Sequence, residues 1–130
     1  MSVNELPTSP FARTIGIELL TVGDERATAS LTTNPAIANA QGGLHGGGVA
    51  ALIDFASGTA VMVGDGGPAT RPRSTVSMTV QYLEGVRSGT VVAEGIVIRR
   101  GRSLCVCEVR VHDDRDRLVA TALVTYRMNS

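Results

Sequence analysis

Apolar and polar residues alternate along the second half of the chain in a way that is typical of β-strands. Val76, Met78, Val80 and Tyr82 alternate with threonine, serine and glutamine residues, which gives a clean period of two from Thr75 onward. Segments rich in valine and isoleucine follow. The four predicted strands cover residues 71–84, 89–100, 103–113 and 117–128. Because the turns between them are short, the pattern predicts antiparallel neighbours.

The first third of the chain predicts less regular structure. Residues 1–14 contain Pro7 and Pro10, so this N-terminal segment is expected to be a loop or a short helical turn. Residues 15–31 predict two strands that turn at Gly-Asp-Glu, residues 23–25. Residues 34–39 are punctuated by proline and asparagine and predict an irregular connection.

A long helix is predicted from His45 to Val63, with Asp54 as its only charged residue and its end at residues 64–68, Gly-Asp-Gly-Gly-Pro. The run is long enough for a membrane span, but a central aspartate, three initial glycines and the lack of an aromatic belt argue against one. A helix that is apolar all round is instead buried in a protein. The predicted fold class is therefore α+β: a curved antiparallel β-sheet wrapped around one long central helix, in a single domain over residues 15–130.

The composition excludes several classes of function. Twelve acidic residues balance twelve basic ones, and only four aromatic residues are present, so nothing favours a nucleic acid as partner. The chain has no lysine, which excludes Schiff-base chemistry and a P-loop. Cys105 and Cys107 are too close for a disulfide and too few for a zinc site, so we expect two buried, reduced strand residues. No signal peptide is recognisable, and the cytoplasm is the expected location.

The candidate chemistry lies on the long helix. Because an unpaired buried carboxylate is costly, Asp54 is either a structural residue with partners or a functional group. His45 and three glycines open the same helix, where unpaired backbone N–H groups carry a partial positive charge. Glycine lets a carbonyl group approach these donors, as a developing thioester oxyanion requires. His45 either helps to orient that carbonyl or serves as a structural cap.

In these residues the chain resembles the hotdog-fold acyl-CoA thioesterases of the phenylacetyl-CoA (PaaI-like) type. The likeness extends over residues 10–128 and implies the hotdog fold, an acyl-CoA substrate and a homodimer or homotetramer. It implies no metal and no cofactor, since CoA is part of the substrate. The chain departs from the family pattern at two positions: Gly48 adds a third glycine, and Thr75 replaces the serine that is commoner in relatives. The motifs that carry the likeness are Asn39-Ala-Gln-Gly-Gly-Leu-His45-Gly46-Gly47, then Asp54 nine positions after the histidine, Thr75 on the next strand, and the turn Arg100-Gly101-Arg102.

The resemblance assigns a role to each motif residue. Asp54 attacks the thioester carbonyl or activates a water molecule to do so. The N–H group of Gly46 polarises that carbonyl, and His45 holds the loop geometry. Asn39 positions the substrate or the water, and Thr75 assists at the water or the carboxylate. Gly47 and the Arg100–Arg102 turn are expected to bind the substrate, with the arginines at the CoA phosphates unless the turn is merely solvated.

The spacing of Gly46 and Asp54 makes a prediction that does not depend on the resemblance. They are eight positions apart on one helix, so the rise per residue separates them by roughly 12 Å. An aspartate side chain cannot cross that distance to a carbonyl held at its own helix N-terminus. If both groups act on one thioester, they must come from two subunits related by a two-fold axis.

Two other functions remain as alternatives. A hotdog-type hydratase or dehydratase needs a histidine paired with an acid. The motifs associated with those enzymes are absent here, and His112, the only other histidine, lies near an acidic turn. A non-catalytic acyl-CoA binding module would need neither Asp54 nor the Gly46 donor. A serine hydrolase is excluded because the chain has no Gly-x-Ser-x-Gly motif. The acyl group, the choice between dimer and tetramer, the role of Asp54 as nucleophile or base, and the pathway stay open.

Overall fold

One antiparallel sheet and one long helix make up most of the structure, a computed structural model that describes residues 2–6, 8–64, 72 and 74–128. The elements are α1 (Pro10–Ile15), β1 (Glu18–Gly23), β2 (Arg26–Thr32), α2 (Gly46–Val63), β3 (Ser74–Tyr82), β4 (Thr90–Arg100), β5 (Leu104–His112) and β6 (Leu118–Arg127), with short 3-10 helices at Val3–Glu5 and Pro35–Ile37. Within these residues the six strands follow the order β1-β2-β4-β5-β6-β3. The predicted fold class is confirmed.

Local chemistry explains the elements of the first half. Ser9 caps α1 by accepting a hydrogen bond from the Ala12 N–H, and Pro10 occupies the first turn, where a missing donor costs nothing. The predicted turn between β1 and β2 is formed by Asp24 and Glu25, which both have positive φ angles. Two such residues make the type I′ turn that suits a twisted hairpin. Pro7 lies outside the described residues.

The helix α2 begins and ends close to the predicted positions. His45 is its N-cap, and its end is at Gly64, which has a φ of 58° and donates its N–H to the Ala60 carbonyl. The rest of the predicted stop, residues 65–68, lies outside the described part of the chain. By length and composition α2 could cross a membrane, but most of it is buried inside the molecule. It is therefore a core helix, around which the sheet curves.

The core lies between α2 and the concave face of the sheet. Alternate side chains of four strands point inward, and both predicted strand cysteines are fully buried. Gly95 on β4 marks the closest approach of sheet and helix, since a Cβ atom there would lie 2.9 Å from the Ser57 backbone nitrogen. The inward residues are Ala27, Ala29 and Leu31 on β2; Val91, Ala93 and Val97 on β4; Cys105, Cys107, Val109 and Val111 on β5; and Ala120, Ala122, Val124 and Tyr126 on β6.

The edge strand β3 departs from the predicted clean alternation. Its pairing with β6 places Thr75 opposite Tyr126 but Ser77 opposite Thr125, so Val76 is an extra residue in a β-bulge. The alternation predicted from Thr75 is therefore wrong at the start of the strand. Val76 is half exposed, whereas Thr75 shares the inner face with Met78. The bulge turns the Thr75 hydroxyl group toward α2.

Candidate active site

Asp54 is the point at which α2, β3 and β6 meet. Its side chain is half-buried, and its Oδ1 atom accepts hydrogen bonds from Thr75 Oγ1 at 3.0 Å and from the Tyr126 hydroxyl group at 2.8 Å. Thr75 and Tyr126 are direct cross-strand partners, so their side chains project from the same face of the sheet. Among the described residues, Oδ2 has no hydrogen-bond partner. Oδ1 is held by two hydrogen bonds, and Oδ2 is free to accept another or to react.

Tyr126 and Ser57 are site residues that the sequence analysis missed. Tyr126 is only 3% exposed, and its hydroxyl oxygen lies 2.5 Å from Ser57 Oγ and 2.9 Å from the Asp54 backbone carbonyl. Burial, and then the charge of Asp54, raise the pKa of Tyr126 above its usual range. The phenol therefore keeps its proton and donates it. The sequence contained a signal for Tyr126, because an inward-facing tyrosine needs a buried partner for its hydroxyl group.

His45 fixes the start of α2. Its Nδ1 atom accepts the Gly47 N–H at 2.7 Å, which places the proton of the neutral ring on Nε2. Its backbone N–H donates to the Ile37 carbonyl at 2.9 Å, and its carbonyl accepts the Gly48 N–H. These contacts hold the loop and the first turn in one geometry. The predicted catalytic role of His45 stays a prediction.

Gly46 presents the donor expected at the helix N-terminus. Its N–H group has no acceptor within the described structure. Its carbonyl accepts a hydrogen bond from the exposed Tyr82 hydroxyl group at 2.8 Å. A Cβ atom at position 46 would lie 3.6 Å from the Tyr82 ring, so a side chain there would occupy the approach to the backbone. Tyr82 was predicted only as a strand residue.

Asn39 organises the loop that leads into α2. Its Oδ1 atom accepts the N–H groups of Gln41 and Gly43 at 3.0 and 2.9 Å, and its Nδ2 atom lies 3.4 Å from the Leu44 carbonyl. Its backbone N–H also donates to the Gly43 carbonyl. The side chain thus acts on its own loop, and the predicted contact with substrate or water stays a prediction.

The Arg100–Arg102 turn lies at the opposite end of α2 from Gly46. Arg100 Nε is 2.6 Å from Glu25 Oε1, and its guanidinium group also donates to the Val61 carbonyl near the helix end. Gly101 donates its N–H to the Leu104 carbonyl and leaves no room for a Cβ atom. Arg102 is exposed. Of the two arginines, Arg102 is the one whose guanidinium group has no partner in the described part of the chain.

Two small pockets flank the start of α2. One, of about 210 Å³, is lined by Phe11, Ile15 and Ile37 beside His45 and Gly47. The other, of about 220 Å³, is lined by Leu44, Val49, Tyr82, Val86 and their neighbours beside Gly46. A third cavity, of about 930 Å³, lies among loops 39–43, 84–88 and 113–117; Asn39 lines it, but none of the groups around Asp54 does. The apolar surface near the predicted reaction centre is therefore at the helix N-terminus.

Within residues 2–6, 8–64, 72 and 74–128, no three histidine, cysteine, aspartate or glutamate side chains gather into a metal site. Asp54 and the backbone N–H groups at the start of α2 are the candidate catalytic groups. In one chain they are separated by roughly 12 Å along α2. That a second subunit completes the site stays a prediction.

Comparison with known proteins gives a consistent result. The model of the thioesterase superfamily matches residues 41–120. The Escherichia coli medium/long-chain acyl-CoA thioesterase YigI is 29% identical in an alignment that covers 90% of this chain and 84% of that protein. The conserved protein PA5202 of Pseudomonas aeruginosa superposes with a TM-score of 0.87 at 26% identity, covering 94% and 95% of the two chains. The Escherichia coli PaaI protein shares the fold, with a TM-score of 0.82 at 20% identity over 95% and 86%.

Proposed function

We propose that this chain converts acyl-CoA thioesters to the free acid and CoA, with Asp54 as the catalytic carboxylate. The chain belongs to the thioesterase superfamily and is a thioester hydrolase. The predicted family and the prediction of an enzyme are confirmed, which removes the binding-module alternative. The observation that carries the proposal is the carboxylate of Asp54, held at Oδ1 by two hydroxyl groups and open at Oδ2.

The reaction breaks the bond between the carbonyl carbon and the CoA sulfur. As a nucleophile, Asp54 forms an anhydride with the acyl group, CoA leaves and takes up a proton, and water then hydrolyses the anhydride. As a general base, Asp54 accepts a proton from water while that water attacks the carbonyl. In both routes the oxyanion needs a donor, and the Gly46 N–H at the positive end of α2 supplies it. Both routes begin from the same ionised carboxylate.

We expect the two halves of this machinery to come from different subunits. The roughly 12 Å along the helix separates the Gly46 donor from Asp54 of its own chain. The Asp54 side of α2 is also incompletely covered, since Ala51, Asp54, Phe55 and Gly58 are only partly buried. Next to it, β3 is a long edge strand with exposed Val76 and Tyr82. The exposed edge strand β3 lies beside a site that one chain does not complete. This favours association with a second copy, as a homodimer or a dimer of dimers.

The substrate is expected to be an acyl-CoA with an apolar acyl group. YigI is named a medium/long-chain acyl-CoA thioesterase. In this chain Phe11, Ile15 and Ile37 form an apolar pocket directly beside His45 and Gly47. The exposed Arg102 is the expected contact for the CoA phosphates, because guanidinium binds phosphate well. The two buried, free cysteines fit a reducing compartment, and we expect the cytoplasm.

Release of free thiol from a panel of acyl-CoAs tests the proposal and separates it from the hydratase alternative, which leaves the thioester intact. Asp54→Asn should lower kcat by a factor of about 100 or more, since the nearly isosteric change removes the reactive oxygen. Asp24→Asn makes the same change in an exposed turn, where asparagine tolerates a positive φ, and should leave kcat unchanged. More than a tenth of wild-type kcat in Asp54→Asn would contradict the assignment.

A further inference from the structure

The inner faces of β3 and β6 converge on a single carboxylate oxygen. The bulge at Val76 brings Thr75 directly opposite Tyr126, and both hydroxyl groups reach Asp54 Oδ1. Two donors on one oxygen hold the carboxylate in one orientation, because rotation about the Cβ–Cγ bond would break both bonds. Oδ2 is then presented away from the sheet.

The two donors differ in their surroundings. Thr75 is exposed, so water competes with its hydrogen bond, whereas Tyr126 is almost completely buried. A hydrogen bond to a charged group is strongest where water is excluded. The buried phenol is therefore expected to contribute more to the orientation of Asp54 than the exposed threonine.

A second hydroxyl group, that of Ser57, lies against the phenol. Its Oγ atom lies 2.5 Å from the Tyr126 hydroxyl oxygen and 2.8 Å from the Ile53 carbonyl. The other neighbours of the phenol, the Asp54 backbone carbonyl and Oδ1, can only accept hydrogen bonds. When Ser57 donates to the tyrosine oxygen, the tyrosine proton points to Asp54, and each bond strengthens the next. In that arrangement Ser57 and Tyr126 are successive donors, and Asp54 is the final acceptor.

We propose that Tyr126 is a positioning residue for catalysis, which holds Asp54 through Oδ1 so that Oδ2 faces the thioester or the attacking water. This rests on the proposed function of Asp54. Tyr126 lies behind the carboxylate and does not contact substrate, so it acts only through Asp54. Its contribution should appear in kcat and not in KM.

Tyr126→Phe removes the hydroxyl group and keeps the buried ring. Ser57 retains the Ile53 carbonyl as an acceptor, so the substitution leaves no buried donor without a partner. We expect kcat to fall about tenfold, as for loss of a hydrogen bond to a charged group, with KM within about twofold of wild type.

A double variant and a stability control separate positioning from structural damage. In an Asp54→Asn background, Tyr126→Phe should lower the residual kcat by less than about twofold, because the group it positions is gone. Val91→Ala removes buried volume on β4, two strands from β6, and should lower Tm while kcat, measured well below that Tm, stays near the wild-type value.

The outcomes distinguish this proposal from the function on which it rests. An inactive Asp54→Asn with a fully active Tyr126→Phe would overturn the positioning role alone. Equal losses of kcat from Tyr126→Phe in both backgrounds would show that it acts independently of Asp54 and would also overturn it. A loss of kcat in Tyr126→Phe that disappears at temperatures well below its Tm would identify a merely structural residue. An active Asp54→Asn would overturn both proposals together.

Discussion

Gly95 controls how closely α2 approaches the sheet, and replacing it with alanine tests how tightly the site depends on that packing. A Cβ atom at position 95 would lie 2.9 Å from both the Cα and the nitrogen of Ser57, and 3.0 Å from the carbonyl carbon of Ala56. All three are helix backbone atoms, so no side-chain rotation relieves the contact. Ordinary contacts begin near 3.4 Å, and the helix or strand must therefore move by about half an ångström.

This movement has a cost in stability and in rate. Overpacking of a well-packed core destabilises by about 1–3 kcal/mol. For a domain of this size, that corresponds to a fall in Tm of roughly 4–15 °C. The displaced residue is Ser57, which lies against the Tyr126 hydroxyl group and one turn from Asp54. Because small misplacements of catalytic groups are costly, kcat should also fall, by roughly three- to tenfold.

Thermal unfolding followed by circular dichroism gives the Tm, and thiol release at a temperature well below it gives kcat. Gly58→Ala is the matched control, since a Cβ atom there would lie 3.5–3.8 Å from the Tyr126 side chain, in ordinary contact. Alanine favours a helix by up to about 1 kcal/mol relative to glycine, so Tm should stay or rise. A Gly95→Ala protein with a Tm within about 2 °C of wild type would refute this account of helix–sheet packing.

Two further predictions concern the Arg100–Arg102 turn and the two buried cysteines. Arg102→Ala and Arg100→Ala should raise KM and leave kcat nearly unchanged, with no effect on substrates truncated to the pantetheine arm. Of the two variants, only Arg100→Ala should also lower Tm, since it loses the ion pair with Glu25 and the hydrogen bond to the Val61 carbonyl. Equal effects on KM for full and truncated substrates would show that the phosphates bind elsewhere. Burial raises the pKa of the Cys107 thiol to about 12 and also raises that of Cys105, so both thiols stay protonated at pH 8. The native protein should therefore react with a disulfide reagent far more slowly than the unfolded chain, and complete labelling of native protein within minutes would contradict this.

The sequence predicted the elements of the fold well because their signals are local. The apolar run of α2 begins at a histidine cap and ends at Gly64, and the structure places both ends within one residue of the predicted ones. Valine-rich strands separated by short turns have few alternatives to antiparallel pairing. The β1–β2 turn includes Asp24, a residue type that tolerates a positive φ angle, beside Glu25.

The site was less predictable because its geometry depends on pairing between distant strands. A strict alternation from Thr75 places that residue on the outer face, away from Asp54. Only the bulge at Val76 turns it inward, and nothing in the local sequence marks the bulge. Tyr126 lies 72 positions from Asp54, so its contact depends on the tertiary fold. Similarly, the ion pair of Arg100 joins a hairpin turn to Glu25, 75 positions earlier.

The shared site can be tested by mixing two variants that are each inactive. Asp54→Asn damages one half-site. Asn39→Ala combined with His45→Ala damages the other, because it removes the hydrogen bonds that hold the loop and the start of α2 around Gly46. If each site uses Gly46 of one subunit and Asp54 of its partner, both homodimers lack one essential half in every site. A mixed dimer instead collects both lesions in one site and leaves the other intact.

The expected recovery follows from counting sites. Unfolding and reassembly of an equal mixture gives about half mixed dimers by random pairing, each with one intact site of two. Activity should therefore return to roughly a quarter of wild type, and a dimer of dimers gives the same fraction if its sites act independently. Differently tagged subunits show by affinity capture whether exchange has taken place. If exchange is complete and the mixture stays as inactive as its parents, Gly46 and Asp54 of one chain serve the same site. The roughly 12 Å between them along α2 would then have to be closed by a rearrangement of α2 within the single chain.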